Sequence, residues 1–138
     1  MGRLTGRRVF GVDDVAQQIV GGFILSAPFV VTEEVWALAA AMTWLQWAVT
    51  VFMVVAIGYG TLYRADDERD AEREESVAGL PLRFVSLLLI SYLSVATLAF
   101  VFSAPTTFGA TPGTTLKAVS IGAVFSVVGA ATADSLFG

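Results

Sequence analysis

Two adjacent carboxylates, Glu33 and Glu34, follow Pro28 and Thr32 at the end of an apolar stretch, and no other place in the chain is better equipped for chemistry. Ionisable side chains at the bilayer centre cost about 2.5 kcal/mol or more, so those that persist at depth tend to mark ion or proton pathways. Pro28 removes a backbone donor and breaks a helix, and carbonyls freed at a break are useful where they line a cavity. In that setting Glu34 attracts cations, while Thr32 and Ser26 contact them as they pass. In a symmetric oligomer one such Glu per copy forms a ring, a known device for cation selection. The bland reading is equally open: solvated acids at a helix start, where they suit the positive end of the dipole.

A second ionisable candidate, Asp134, ends a series recurring every four residues, Ala118, Gly122, Ser126, Ala130 and Asp134, with Gly129 and Ala133 beside it. Small residues at helical spacing suit the close approach of another helix, either a neighbouring span or a second copy of the chain. Asp134 itself is expected near the interface, hydrated or facing an aqueous vestibule. Polar lines also run along the other apolar stretches: Gln18, Gly22 and Ser26; Thr43, Gln46 and Thr50; Ser91, Ser94 and Thr97. These either bond between helices or converge on a polar pathway.

The remaining repertoire is narrow. The chain has no Cys and no His, which removes thiolate chemistry and disulfides, the commonest general base and the commonest metal ligand. No Gly-rich phosphate loop or Ser-nucleophile motif is present. The acidic run at 66–75 lacks the Gly and the alternating oxygens of an EF-hand loop. The lone Lys117 is read as snorkelling to the headgroups, not as a retinal Schiff base, because four spans are too few to enclose that chromophore. The expectation is a protein that is not an enzyme and carries no cofactor.

These residues need elements to position them, and composition says what kind. Of 138 residues 56% are hydrophobic and 14% charged, with mean hydropathy +0.75, which is a balance for lipid. A span takes roughly 20 apolar residues, so the whole chain reads as one all-α transmembrane domain of about four spans, 15–31, 44–63, 82–102 and 116–137. An acidic loop at 64–81 separates the second from the third. A cleaved signal peptide competes for the first stretch, but Pro28 and the bulky Phe29, Val30 and Val31 make a poor cleavage site. Asp13 and Asp14 cap the first span and fill its first turn.

The apolar stretch from Val35 to Tyr63 is too long for one untilted helix. The preferred solution is an interfacial or re-entrant helix over 34–42, with the span proper starting near Trp44; Trp36, Trp44 and Trp47 favour an interface there. All seven Arg lie in the N-terminal arm, in the 64–75 segment or at Arg83, and only Lys117 falls on the other side. By the positive-inside rule both termini and the acidic loop are cytoplasmic. The net charge of -4 excludes nucleic acid as a partner.

The run Pro28-Phe-Val-Val-Thr32-Glu-Glu34-Val-Trp36 resembles a Pro-x-x-x-Thr-x-Glu-Val-Trp element found after the first span in a family of integral membrane proteins of unknown function from archaea and bacteria. The ending Val128-Gly-Ala-Ala-Thr-Ala-Asp134-Ser-Leu is similar to that family's small-residue terminus. The resemblance implies that Pro28, Thr32, Glu34 and Trp36 are the residues to watch, and it implies membrane residence without an activity. Taken together, the sequence leads to the expectation of a multi-pass cell-membrane protein embedded in the lipid bilayer. Its expected function is that of a homo-oligomeric cation channel or small transporter. The alternative is a non-catalytic subunit or scaffold that packs partner helices through its fourth span.

Overall fold

The computed structural model describes residues 10–64, 76–77 and 80–137. Arg3, Arg7, Arg8 and the acidic run at 66–75 lie outside the described residues. In chain order the elements are α1 (Val12–Val30), α2 (Glu33–Ala41), α3 (Trp44–Tyr59), a π-helical turn (Gly60–Arg64), α4 (Leu82–Val101), α5 (Ala104–Thr107) and α6 (Pro112–Phe137). A two-residue antiparallel ladder, Ser76–Val77 with Leu80–Pro81, leads into α4.

Three helical stretches are long and apolar enough to cross a membrane: Trp44–Tyr63, Leu82–Val101 and Pro112–Asp134. The pair α1 and α2 passes the same test only together, and it is bent by 80°. The all-α architecture is as expected, with three candidate spans, or four if the bent pair of α1 and α2 counts as one. An independent short helix over 34–42 was expected, and α2 is that helix. Two boundaries move: α1 starts at Val12 and not near 15, and α6 starts at Pro112 and not near 116. Both extensions have a local cause. Asp14 Oδ2 accepts the Gly11 N–H at 3.0 Å and so holds the first turn of α1. At the other start Thr111 Oγ1 accepts the Thr114 N–H at 3.1 Å, and Pro112 occupies the first helical position, where its missing N–H costs nothing.

Breaks between helices are set by side chains that cap them. Thr43 and Gln46 form a reciprocal capping box that starts α3: Gln46 N–H donates to Thr43 Oγ1 at 3.1 Å, and Thr43 N–H to Gln46 Oε1 at 2.8 Å. After α4, Ser103 adopts a left-handed conformation, φ 58°, which ends the helix as such a residue commonly does.

Helix α6 is the axis of the bundle. Of its span 56% is buried, against 33% for α4 and 17% for α3, so α3 is the peripheral rod. The neighbour packed most closely on α6 is α1, because the two backbones nearly touch: a Cβ on Gly21 would collide with the Gly129 carbonyl, and one on Gly129 with the Gly21 carbonyl. Gly122 faces Val95 of α4, and Ser126 faces Gly22 of α1. Every member of the small-residue series Ala118, Gly122, Ser126, Ala130 and Asp134 is buried. Of the two partners expected for it, neighbouring spans of the same chain take the face.

Two apolar cores lie along this axis. One gathers Val30, Trp36, Val95 and Ala118 around the α1–α2 corner; the other gathers Val54, Leu62, Leu87 and Val127 toward the opposite end. The start of α1, the start of α4 and the end of α6 meet at that second end, while Met42 and Trp44 meet Lys117 at the first. This places the start of α1 and the end of α6 at one end of the bundle and Lys117 at the other.

A methyl group added at the α1–α6 crossing has no room. Gly21→Ala and Gly129→Ala should each lower thermal stability in detergent by about 1–3 kcal/mol, the usual cost of overpacking. Gly60→Ala, where a Cβ meets nothing within 4 Å, should leave the melting temperature unchanged. Equal behaviour of all three variants would refute this crossing.

Candidate functional site

Arg83 is the residue around which the buried polar chemistry is organised. It sits in the first turn of α4 with no exposed surface. Its Nη1 donates to Asp134 Oδ1 at 2.7 Å and lies 3.1 Å from Asp14 Oδ1. Asp14 is 1% exposed and Asp134 0%. The Phe10 ring lies 5.1 Å from the guanidinium carbon, a cation–π arrangement that covers the charge with carbon. The network continues inward: Gln18 Nε2 donates to Asp134 Oδ2 at 2.9 Å, and Ser86 Oγ donates to Gln18 Oε1 at 2.9 Å.

Each contributor is placed by its helix. Asp14 and Gln18 are four residues apart on α1, hence on one face. Arg83 and Ser86 are three apart on α4, and Asp134 stands in the last turns of α6. The result joins three helices through two carboxylates on one nitrogen. Asp134, expected in water, is enclosed, because the close α1–α6 crossing brings Gln18 over it and α4 brings Arg83 to it. Arg83, read from the sequence only as a marker of orientation, is the largest fully buried side chain in the protein among the described residues.

One helical turn beyond Gln18 on α1, a separate group of small polar side chains meets in the α1–α6–α4 seam. The Gly22 carbonyl accepts from Ser26 Oγ at 2.7 Å and from Ser126 Oγ at 3.1 Å, and the Ser94 hydroxyl lies beside Gly22. The expected lines of α1 and α6 thus meet, joined by Ser94 of α4. The others do not: Ser91 bonds the Leu87 carbonyl of its own helix, Thr97 is exposed, and Thr50 bonds the Gln46 carbonyl.

The Pro28–Trp36 element lies at the opposite end and forms the corner between α1 and α2. A helix end leaves carbonyls without partners, which is costly away from water. Here Thr32 Oγ1 donates to the Phe29 carbonyl at 3.0 Å and Trp36 Nε1 to the Val30 carbonyl at 2.8 Å. The carbonyls expected to line a cavity are therefore capped by the motif's own side chains. Trp36, expected near the headgroups, is 2% exposed and stacks near Phe108 with centroids 5.9 Å apart. Glu33 and Glu34 are exposed in the first turn of α2. The structure brings Ser26 no nearer to them than its place on α1 allows: Ser26 is fully buried in the seam, and Glu34 faces outward.

The sequence did hold a signal for the cluster. With alternating spans, Asp14, Arg83 and Asp134 each fall within a turn or so of the same end of the bundle, and opposite charges at equal depth should pair. No group of His, Cys, Asp and Glu among the described residues could hold a metal ion.

Removing one partner of a buried ion pair leaves the other charge stranded, at a cost of about 3–5 kcal/mol. Arg83→Ala should therefore destabilise the protein strongly in detergent melts. The triple variant Arg83→Met, Asp14→Asn, Asp134→Asn should recover much of the loss. Trp36→Phe should cost less, about 1–3 kcal/mol for one unmade buried hydrogen bond.

No curated protein and no solved structure matches this chain. A family model described as "Putative integral membrane protein (DUF2391)" matches residues 8–136. That match takes in the α1–α2 corner, the charged cluster and the small-residue face of α6, and so the chain belongs to this family of integral membrane proteins of unknown function.

Proposed function

We propose that this protein is a small homo-oligomeric transporter that moves protons or other small cations across its membrane, with Asp134 as the ion-responsive carboxylate. The observation that carries the reading is the enclosed set Asp14, Arg83, Asp134 and Gln18, with the separate Ser26, Ser94 and Ser126 group one helical turn further along α1. Ionisable side chains inside a membrane bundle are a mark of ion relays and substrate paths. Two carboxylates beside one guanidinium compete for it, so occupancy of Asp134 by a proton or cation changes what Arg83 holds. Such an exchange is a two-state element that could be tied to helix movement.

Glu33 and Glu34 have a lesser part here. Exposed at the other end, they raise the local concentration of cations, an effect that salt screens. Oligomerisation is part of the proposal because four helices whose interior is filled by two apolar cores leave little room for a path. A non-enzymatic role fits a chain without His or Cys. The alternative of a scaffold gripping partners through α6 is weakened, since the face intended for that purpose is occupied by α1 and α4.

Purified protein in liposomes with an internal pH dye supplies the test. Under an imposed gradient the native chain should carry flux above empty liposomes, and Asp134→Asn, checked for helical content, should fall to background. Glu34→Gln should lower the rate only at low ionic strength. Background flux in the native chain with both protons and alkali cations would sink the proposal.

A further inference from the structure

We propose that the groove between α2, α3 and α6 is a binding site for one anionic phospholipid, with its acyl chain on the groove floor and its phosphate on Lys117. The groove has a volume of about 600 Å³ and is lined chiefly by Leu38, Met42, Leu45, Val49 and Ile121. That volume falls within the range of small-molecule sites, about 300–1,000 Å³. Leu38, Leu45 and Val49 are 62%, 76% and 53% exposed, so the groove opens toward the surrounding lipid. Its two polar residues offer a ligand little: Thr50 Oγ1 donates to the Gln46 carbonyl, and the Gln46 side chain caps Thr43. What remains on the floor is hydrocarbon.

Charge decides which lipid. Lys117 Nζ donates to the carbonyl of Met42, a lining residue, at 2.6 Å, and lies 4.2 Å from the Trp44 ring centroid. The ammonium therefore stands at the groove's rim. Both partners are neutral, and among the described residues no carboxylate pairs with it. An ammonium carries three donors, so one is left for a further acceptor. Trp44, 53% exposed at this level, suits the headgroup zone, and basic groups set between transmembrane helices are a recurring way of holding anionic headgroups. A second copy of the chain is a poorer occupant: a two-fold contact here repeats the same patch and brings a second uncompensated ammonium toward the first.

Detergent-purified protein titrated with phosphatidylglycerol and with phosphatidylcholine of identical chains, read by native mass spectrometry, tests this directly. The native chain should bind one phosphatidylglycerol about tenfold more tightly than phosphatidylcholine, a gap of one decade in Kd. Lys117→Gln should reduce that preference to less than about twofold while Lys117→Arg keeps it, as expected for a charge contact. Val49→Trp should weaken both lipids by filling the floor. Equal binding of the two lipids to the native chain overturns the proposal, whatever the variants do. So does an undiminished preference in Lys117→Gln, or a photoreactive group at position 45 that crosslinks to a second copy and not to lipid.

Discussion

A guanidinium stripped of water can remain in a helical bundle only if carboxylates come to it, and this requirement shapes one end of the protein. Arg83 has no exposed surface, so the start of α1 must deliver Asp14 and the end of α6 must deliver Asp134 to the start of α4. Three helix ends are thereby fixed relative to one another. The rest follows from reach. For Gln18 to meet Asp134, α1 and α6 must run close together, and they can because Gly21 and Gly129 have no side chains to hold the backbones apart. The small-residue face of α6 is thus the steric condition under which the charge cluster closes.

The other end meets the same constraint with uncharged groups. A helix that stops near the membrane surface leaves carbonyls seeking donors, and α1 stops two residues after Pro28. Thr32 and Trp36 supply those donors from the beginning of α2, and in doing so they hold the second helix at a sharp angle to the first. The Pro, Thr and Trp of the motif are accounted for by this corner. Its Glu is not, since Glu34 makes no contact that the corner requires. A residue without a packing role in an otherwise structural motif is the one whose role belongs to the surface and to what meets it there.

Much of the architecture was legible because lipid imposes a strong pattern. Apolar stretches of span length, a 35–63 run too long for one rod, and the tryptophans at 36, 44 and 47 led to the long rods and the short α2. The four-residue series on α6 could be read as a packing face from spacing alone. Chemistry was less legible, for a physical reason. Exposed and buried acids look alike in a sequence: Glu33 and Glu34 drew attention by adjacency, while Asp14 passed as a helix-start residue and Arg83 as a marker of orientation. Their pairing depends on depth and azimuth together, which no single helix specifies. Trp36 was misplaced similarly, because an indole serves as well inside a corner as in a headgroup belt.

Stability alone is a weak reason for the cluster that organises the bundle. Taking charges out of water costs several kcal/mol per ion, and replacing a buried ion pair by well-packed apolar residues is often neutral or favourable by about 1–4 kcal/mol. A membrane bundle has apolar alternatives at hand, and this one already uses them in two cores. What an apolar replacement cannot reproduce is a response to charge, and the transport proposed above rests on that difference: a proton or cation taken up by one carboxylate would change how the two share the guanidinium. One helical turn beyond Gln18 on α1, a separate polar group of Ser26, Ser94 and Ser126 gathers around Gly22. This seam serves cohesion, since the Ser126 hydroxyl on the Gly22 carbonyl ties α6 to α1; the charged centre is the part of this end whose cost cohesion does not explain, and the proposed transport rests on it.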